Sequence, residues 1–535
     1  MSQKGLTGAH DAKLVKMALL QNQQLRVLKL GYNQLGDDGL QVLVPGIAQH
    51  RYLERLDLGF NNIGDIGCCA LAQAMVVQQQ QQQQQQAVVA AAAAASSSNN
   101  NNAVVAGGGC RLSTLYLAGN CIGPDGALAL ADVITSRKSS SSSSSSKRQH
   151  HHLLLQADKV ELDKADLSKN ACCSLKRLYL TGNRLGPDGV KAITDAIMEE
   201  GATAVPVEMD TTTAAATATT FTSTSNTDEM ASSKDGDDVA MDTFSTAEPL
   251  SEGMMEAASA GDNTKASTSP EPSSASQIGP NNNYGRRGME ELFLGGTGLG
   301  STGCQAVARL LASRHCHLQV LSLANCEISD EEITRQDFGL ASALKANRDA
   351  LPLASLQLSF NSISHKGLEA LMNGLWGSKT LRELRLDNND IGDRGAQQLA
   401  AILPYLKTLE SLDVGFNNIN NKSQGMKILM KAVAEANNLT TLSLSGNPMQ
   451  DVSSAKAVAY ALAYNTSLQS LLLVHCQLTT EGQRHVAAGA VSNSRTSLRD
   501  LSGFPVGRKL HYCLCRSCRC LCRLVRPNIV SFFNM

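Results

Sequence analysis

Apolar positions along the chain follow one short pattern, clearest in Leu381–Thr408, LRELRLDNNDIGDRGAQQLAAILPYLKT. Leu381, Leu384 and Leu386 fit a short strand with one buried face. Asn389 and Ile391 follow, and Gly392 and Gly395 mark a turn. Ala396, Leu399, Ala400 and Leu403 then recur at helical spacing, so the period passes from about 2 to about 3.6 within one unit. The unit returns at Leu25, Leu53, Leu112, Leu175, Met289, Leu318, Leu353, Leu381, Leu409, Leu439 and Leu468, and a partial copy starts at Leu498. Uninterrupted neighbours are 28 to 30 residues apart, except for a longer unit after Leu318 that should extend the helical side. No single unit can bury its own leucines, whereas stacked units share one core.

A strand-plus-helix unit of this length is the mark of a leucine-rich repeat. It predicts an α/β solenoid, a horseshoe with a parallel sheet on the concave side and helices on the convex side. About eleven repeats fill residues 1–503. Eight residues after each marker stands Asn33, Asn61, Asn120, Asn183, Asn361, Asn389, Asn417 or Asn447, with Cys326 and Cys476 in two other copies. A buried amide there can satisfy neighbouring backbone groups, and a small thiol fits the same slot. Thr297 is the exception and predicts a looser repeat at Met289.

The phrases LDLGFNNIGDIG (Leu56–Gly67), LYLAGNCIGPDG (Leu115–Gly126) and LYLTGNRLGPDG (Leu178–Gly189) resemble the ribonuclease-inhibitor-like class of these repeats. The resemblance covers most of the chain outside its inserts and last thirty-odd residues, and implies the fold more than any one partner. The repeats are also similar to those of Ran GTPase-activating proteins, which implies binding a small GTPase and accelerating its hydrolysis. Asn183-Arg184 resembles that family's Asn/Arg-bearing loop, but the acidic tail that follows its solenoid has no counterpart here. A third likeness, to nucleotide-binding immune receptors, implies a sensor role, without the nucleotide-binding domain.

Three long inserts interrupt the repeats, at 78–111, 139–174 and 201–288. Each starts where a helix should end and stops before the next strand, which places all three on one edge of the solenoid. The first holds nine consecutive Gln and the second eight consecutive Ser followed by His150–His152. Such tracts bury too little apolar surface to fold, so disorder is expected. From Gly201 to Asn283 the third carries thirteen Asp and Glu against two Lys, with Ser269-Pro270 in a setting suited to phosphorylation. It reads as an acidic spacer or a regulated tether. Loop closure grows only logarithmically with length, so the flanking repeats should still stack. Residues Gly5–Gln21 read as the helical half of a repeat, a terminal cap.

The net charge of −1 gives no reason to expect nucleic acid or a membrane surface as partner, and departs from the strongly acidic ribonuclease inhibitor. No secretion signal or membrane span is visible. Fifteen cysteines, many at repeat positions, read as reduced core residues of a cytoplasmic or nuclear protein. The Asn-x-Ser/Thr matches at Asn421, Asn438 and Asn465 then carry no meaning. Gly298, Gly300 and Gly303 spell G-x-G-x-x-G between a strand and a helix. Gly300 and Gly303 nevertheless occupy the turn positions of Gly392 and Gly395, which removes the nucleotide reading. In the Cys/Arg-rich tail 504–535, the thiols of Cys513, Cys515, Cys518, Cys520 and Cys522 lack a second ligand cluster, so the tail reads as disordered or artefactual. No catalytic constellation, cofactor motif or metal motif emerges. The expected function is that of a non-enzymatic interaction scaffold.

The concave face carries the binding expectation. Four residues past the marker, Tyr116, Tyr179 and Phe293 come from consecutive repeats and should line up about 5 Å apart, as an aromatic stripe suited to a protein partner. Arg55, Asp57, Arg385, Asp387 and Asp413 add charges of both signs for specificity. The competing reading is that LYL is a common spelling of the repeat. A second row, seven past the marker, holds Tyr32, Phe60, Phe360, Asn388, Phe416 and His475. Phe60 and Phe416 share the phrase GFNNI, so a local packing role is expected for their rings.

Overall fold

The structure is a computed structural model that describes residues 2–50, 52–79, 111–135, 175–203, 288–420, 422 and 424–503. The chain divides into two units: Met1–Val205 with Arg286–Met535, and Pro206–Gly285, which lies wholly outside the described residues.

In the first unit, twelve parallel three-residue strands form one sheet in strict sequence order, from Val27–Lys29 to Asp500–Ser502. The strands are short because each unit buries only three leucines before the chain turns. The central leucines pair across neighbours, Leu28 with Leu56, Leu56 with Leu115 and Leu115 with Leu178. One sheet face is sealed by a continuous core of these leucines and of helix residues such as Leu40, Leu71, Leu130 and Ile193. The other face has no layer over it among the described residues. Strands sit about 4.8 Å apart and helices need roughly 10 Å, so such a stack bends with the sheet inside.

The ladder is continuous across the longest insert: Arg177–Tyr179 pairs in register with Glu291–Phe293. The expected inserts begin slightly too early, however. Helix runs from 65 to 79 and from Gly186 to Thr203, because both helices complete their buried face first. Gly201 packs so closely on His315 that a Cβ would stand 2.6 Å from its carbonyl oxygen. Arg111 belongs to the repeats, its guanidinium 5.1 Å from the centre of the Tyr52 ring. After Leu318 the longer unit forms two short helices, Asp330–Thr334 and Leu340–Ala346. Ser329 and Glu332 start the first with reciprocal side-chain-to-backbone bonds. Helix Gly8–Gln21 packs against Gly36–Gln49, as the cap reading expects.

The Asn column does more than satisfy its own repeat. Asn120 donates to Leu117 O at 2.8 Å and to Leu58 O of the preceding repeat at 3.0 Å, while its Oδ1 accepts from Asn61 N and Ile63 N, both at 3.0 Å. Asn361 and Asn447 make the same set. Cys326 and Cys476 keep the backward bond, from Sγ to Leu294 O and Leu444 O. The Thr297 hydroxyl donates to Leu294 O of its own repeat, and its backbone carbonyl accepts from Gly186 N of the preceding one at 3.0 Å. The repeat at Met289 is nevertheless not loose: Met289, Leu292 and Leu294 are fully buried. What Thr297 loses is the side-chain tie to the preceding repeat.

Candidate functional site

Strand alternation puts Tyr116, Tyr179 and Phe293 on the uncovered face, each half-buried. They are direct partners in the ladder, Tyr116 with Tyr179 and Tyr179 with Phe293. The rings stack, with centroids 4.0 and 4.4 Å apart and planes 17° and 12° from parallel. Stacking uses part of their apolar surface within the chain and leaves the outer edges free. Tyr179 Oη donates to Glu291 Oε2 at 2.7 Å, and Arg177 Nε donates to Glu291 Oε1 at 2.9 Å. Burial and the bond to Glu291 push the Tyr179 hydroxyl far above the usual phenol range, so it stays a neutral donor.

The expected charges fall into two groups. Asp57 is the ladder partner of Tyr116 and accepts from Gly59 N at 3.1 Å, with Arg55 exposed on the same strand. Arg385, Asp387 and Asp413 lie farther along: two strands, carrying Ser322 and Gln357, separate Phe293 from Arg385. That is roughly 14 Å, so these three are not flanks of the stripe but a second cluster. Within it Arg385 pairs with Glu383 at 2.6 Å and stands beside Asp413 in the ladder.

The row seven past the marker holds what sequence reasoning undervalued. Tyr32, Phe60, Asn325, Phe360, Asn388, Phe416 and His475 all have φ between 53° and 60°, and Gly119, Gly182, Gly296 and Gly446 fill the same column. This left-handed backbone is uncommon for bulky side chains. Phe60 and Phe416 do pack locally, each over the glycine of the next repeat, where a Cβ would clash with the ring. All four aromatics are still about half exposed. The signal was available in the column itself, since Gly and Asn are the residues that favour left-handed turns.

Two other candidates resolve as structural. Gly300 opens helix Gly300–Ala312 at φ 59°, and Gly303 packs against Leu299 and Pro187, so the glycines serve the strand-to-helix turn. Asn183 donates to Leu117 O and Leu180 O and accepts from Ile122 N, as its equivalents do, while Arg184 is exposed. His150–His152 and the tail cysteines lie outside the described residues. No helix among the described residues is long and apolar enough to cross a membrane.

Comparison with known proteins agrees with the repeat reading. Nine segments match the family described as Leucine Rich repeat: 21–44, 49–72, 111–131, 171–193, 314–331, 352–372, 377–400, 405–423 and 435–453. The chain is 27% identical over 206 residues to mouse NACHT, LRR and PYD domains-containing protein 14, a match covering 38% of this chain and only 17% of that protein. Among solved structures, an internalin from Listeria monocytogenes covers 94% of this chain and 93% of its own at 14% identity, with a TM-score of 0.38. The actin-binding site 2 of leiomodin-1 aligns over 24% of this chain and 71% of its own at 24% identity, with a TM-score of 0.21.

Proposed function

We propose that this chain is a non-enzymatic interaction scaffold whose uncovered sheet face docks a partner protein across Tyr116, Tyr179 and Phe293. The observation that supports this reading is the in-register aromatic ladder on a face with no layer over it among the described residues. Three stacked rings form a rigid apolar platform that loses little entropy on binding, which suits a hot spot. Arg55 and Asp57 at one end supply charge that steers and orients a partner. The repeat matches support the class, since stacked repeats present extended faces of this kind.

A second reading, a sensor-type repeat region, is favoured by the match to NACHT, LRR and PYD domains-containing protein 14. It uses the same face and differs in what lies beyond the repeats. The small-GTPase regulator rested on Asn183-Arg184, and the bonds of Asn183 within the Asn column leave only Arg184 for it.

The test is a pull-down with mass spectrometry, comparing the intact chain with one carrying Tyr116→Ala, Tyr179→Ala and Phe293→Ala. Selective loss of one protein from the variant, with unchanged circular dichroism, is expected. A lost small GTPase would revive the regulator reading and call for a hydrolysis assay. Identical catches from both would sink the aromatic platform.

A further inference from the structure

The two ends of the left-handed aromatic row differ. Tyr32 and Phe60 come from neighbouring repeats and stack at 4.5 Å, closing on each other. Phe360 and Phe416 are separated by one repeat, whose residue in the row is Asn388. Their backbones stand two strand spacings apart, roughly 10 Å. Phe360 has no ring partner among the described residues, and Phe416 only a tilted one, His475 at 6.5 Å. The rings are 58% and 47% exposed.

Between and beside them lie Asp387 and Asp413. Asp387 accepts from the Ser359 hydroxyl and the Asn388 amide, and its backbone carbonyl accepts from Phe360 N at 2.9 Å. Asp413 accepts from Gly415 N at 3.0 Å. Neither makes an ion pair among the described residues. The cations on these strands are already engaged, Arg382 with Glu410 and Arg385 with Glu383. Burial, with the charge of Asp387 nearby, pushes the Asp413 carboxyl up against the bonds from Gly415 and Ser443 and the charge of Arg385.

We infer that Phe360, Phe416, Asp387 and Asp413 form a docking site for an arginine-bearing extended segment of a partner protein. Charge complementarity selects a cation, because neither carboxylate makes an ion pair among the described residues while Arg385 is held by Glu383. The aromatic faces select arginine over lysine, because a planar guanidinium stacks on a ring while its N–H groups reach a carboxylate. The inference rests on reading the uncovered sheet face as a docking surface, and gives that surface a second contact with a stated chemistry.

The experiment is fluorescence anisotropy of the full chain with a fluorescein-labelled Gly/Arg peptide, alongside Gly/Lys and Gly/citrulline twins. The Arg peptide is expected to bind most tightly, with the citrulline twin at least tenfold weaker and affinity falling with salt. The double variant Asp387→Asn with Asp413→Asn should lose about tenfold. Phe360→Asn with Phe416→Asn should lose several-fold and keep its fold, since Asn already occupies this backbone at 325 and 388. Glu54→Gln, far along the sheet, should bind as the parent does. Equal binding by parent and double variants would overturn the inference, since capture would then occur elsewhere, for instance on the acidic stretch 201–283. Absence of binding by the parent would overturn it as well, as when the chain's own tail, with Arg508, Lys509, Arg516, Arg519, Arg523 and Arg526, fills the site. Loss of binding only on changing Tyr116, Tyr179 and Phe293 would sustain the proposed function and sink this inference.

Discussion

The Asn column shows how one side chain can couple two repeats. Replacing Asn120 with Ala would leave two amides and two carbonyls of adjacent repeats without that partner in a buried site. A loss of at least about 2 kcal/mol is expected in urea unfolding. Asn120→Thr should recover part of it through its own repeat, as Thr297 does; a loss under about 0.5 kcal/mol for Ala would refute the bridging role. The buried thiols give a pH signature. Burial pushes Cys316 and Cys476 up from 9.0 to about 11. The folded chain therefore holds protons that the unfolded chain releases, so this stability is full below pH 9 and is lost as pH rises towards 11. Reduced protein melted at pH 8 and pH 10.5 should be less stable at the higher value, and substituting both thiols by Ala should shrink the difference. The Asn positions were legible because a fixed offset from a leucine marker survives in any single copy. Their reach backwards was not, since spacing names a residue and says nothing about which repeat its amide meets. Phe416 packs over Gly446 as expected, but its outward exposure and that of Phe360 were not legible for another reason. Aromatic residues are judged by hydrophobicity, and the left-handed backbone that holds them outward is set by the column.

At the scale of the element, several helix starts are stabilised from the repeat before them. Asp37 Oδ1 accepts from Gly64 N at 2.7 Å and Gly67 N at 3.0 Å, and Asp65 Oδ1 from Gly123 N at 2.7 Å and Gly126 N at 2.8 Å. Asp330 serves Ser364 N and Gly367 N in the same way. A carboxylate at a helix N-terminus satisfies free N–H groups and meets the positive end of the dipole. Glycine at 126 follows from this closeness: a Cβ there would stand 2.8 Å from Asp65 Oδ1 and 2.7 Å from Ile122 Cγ2. Asp65→Ala should cost about 1–2 kcal/mol. It should also speed hydrogen exchange in Pro124–Thr135 before it affects Gly8–Gln21; uniform acceleration of both helices would contradict a local cap. The GxxG spacing of the turns was legible as a turn. The Asp that fills it from outside was not, because it belongs to the preceding repeat, 27 residues earlier for Asp37 and Gly64 and 58 for Asp65 and Gly123.

Across the whole molecule, the strand register and the helix stack repeat one contact between neighbours, so stability is close to a sum of adjacent interfaces. One interface is tied differently from the rest, through Arg177 and Tyr179 to Glu291 rather than through an Asn amide. Between the repeats at Leu175 and Met289, the side-chain tie that Asn provides elsewhere is replaced by Thr297, which bonds within its own repeat. The same junction carries the longest insert. Under tension this becomes a question of mechanics rather than of equilibrium. A chain held by its two ends and stretched should show its largest single extension where this seam parts, because the length of 204–287 is freed with it. The other units should yield in steps set by their own lengths, about 100 Å for those of 28 to 30 residues and more for those that carry an insert. Thr297→Asn should raise the force of that event by supplying the missing amide tie. The seam would then announce itself by the length of chain it frees, which marks the point where the two halves of the sheet come apart.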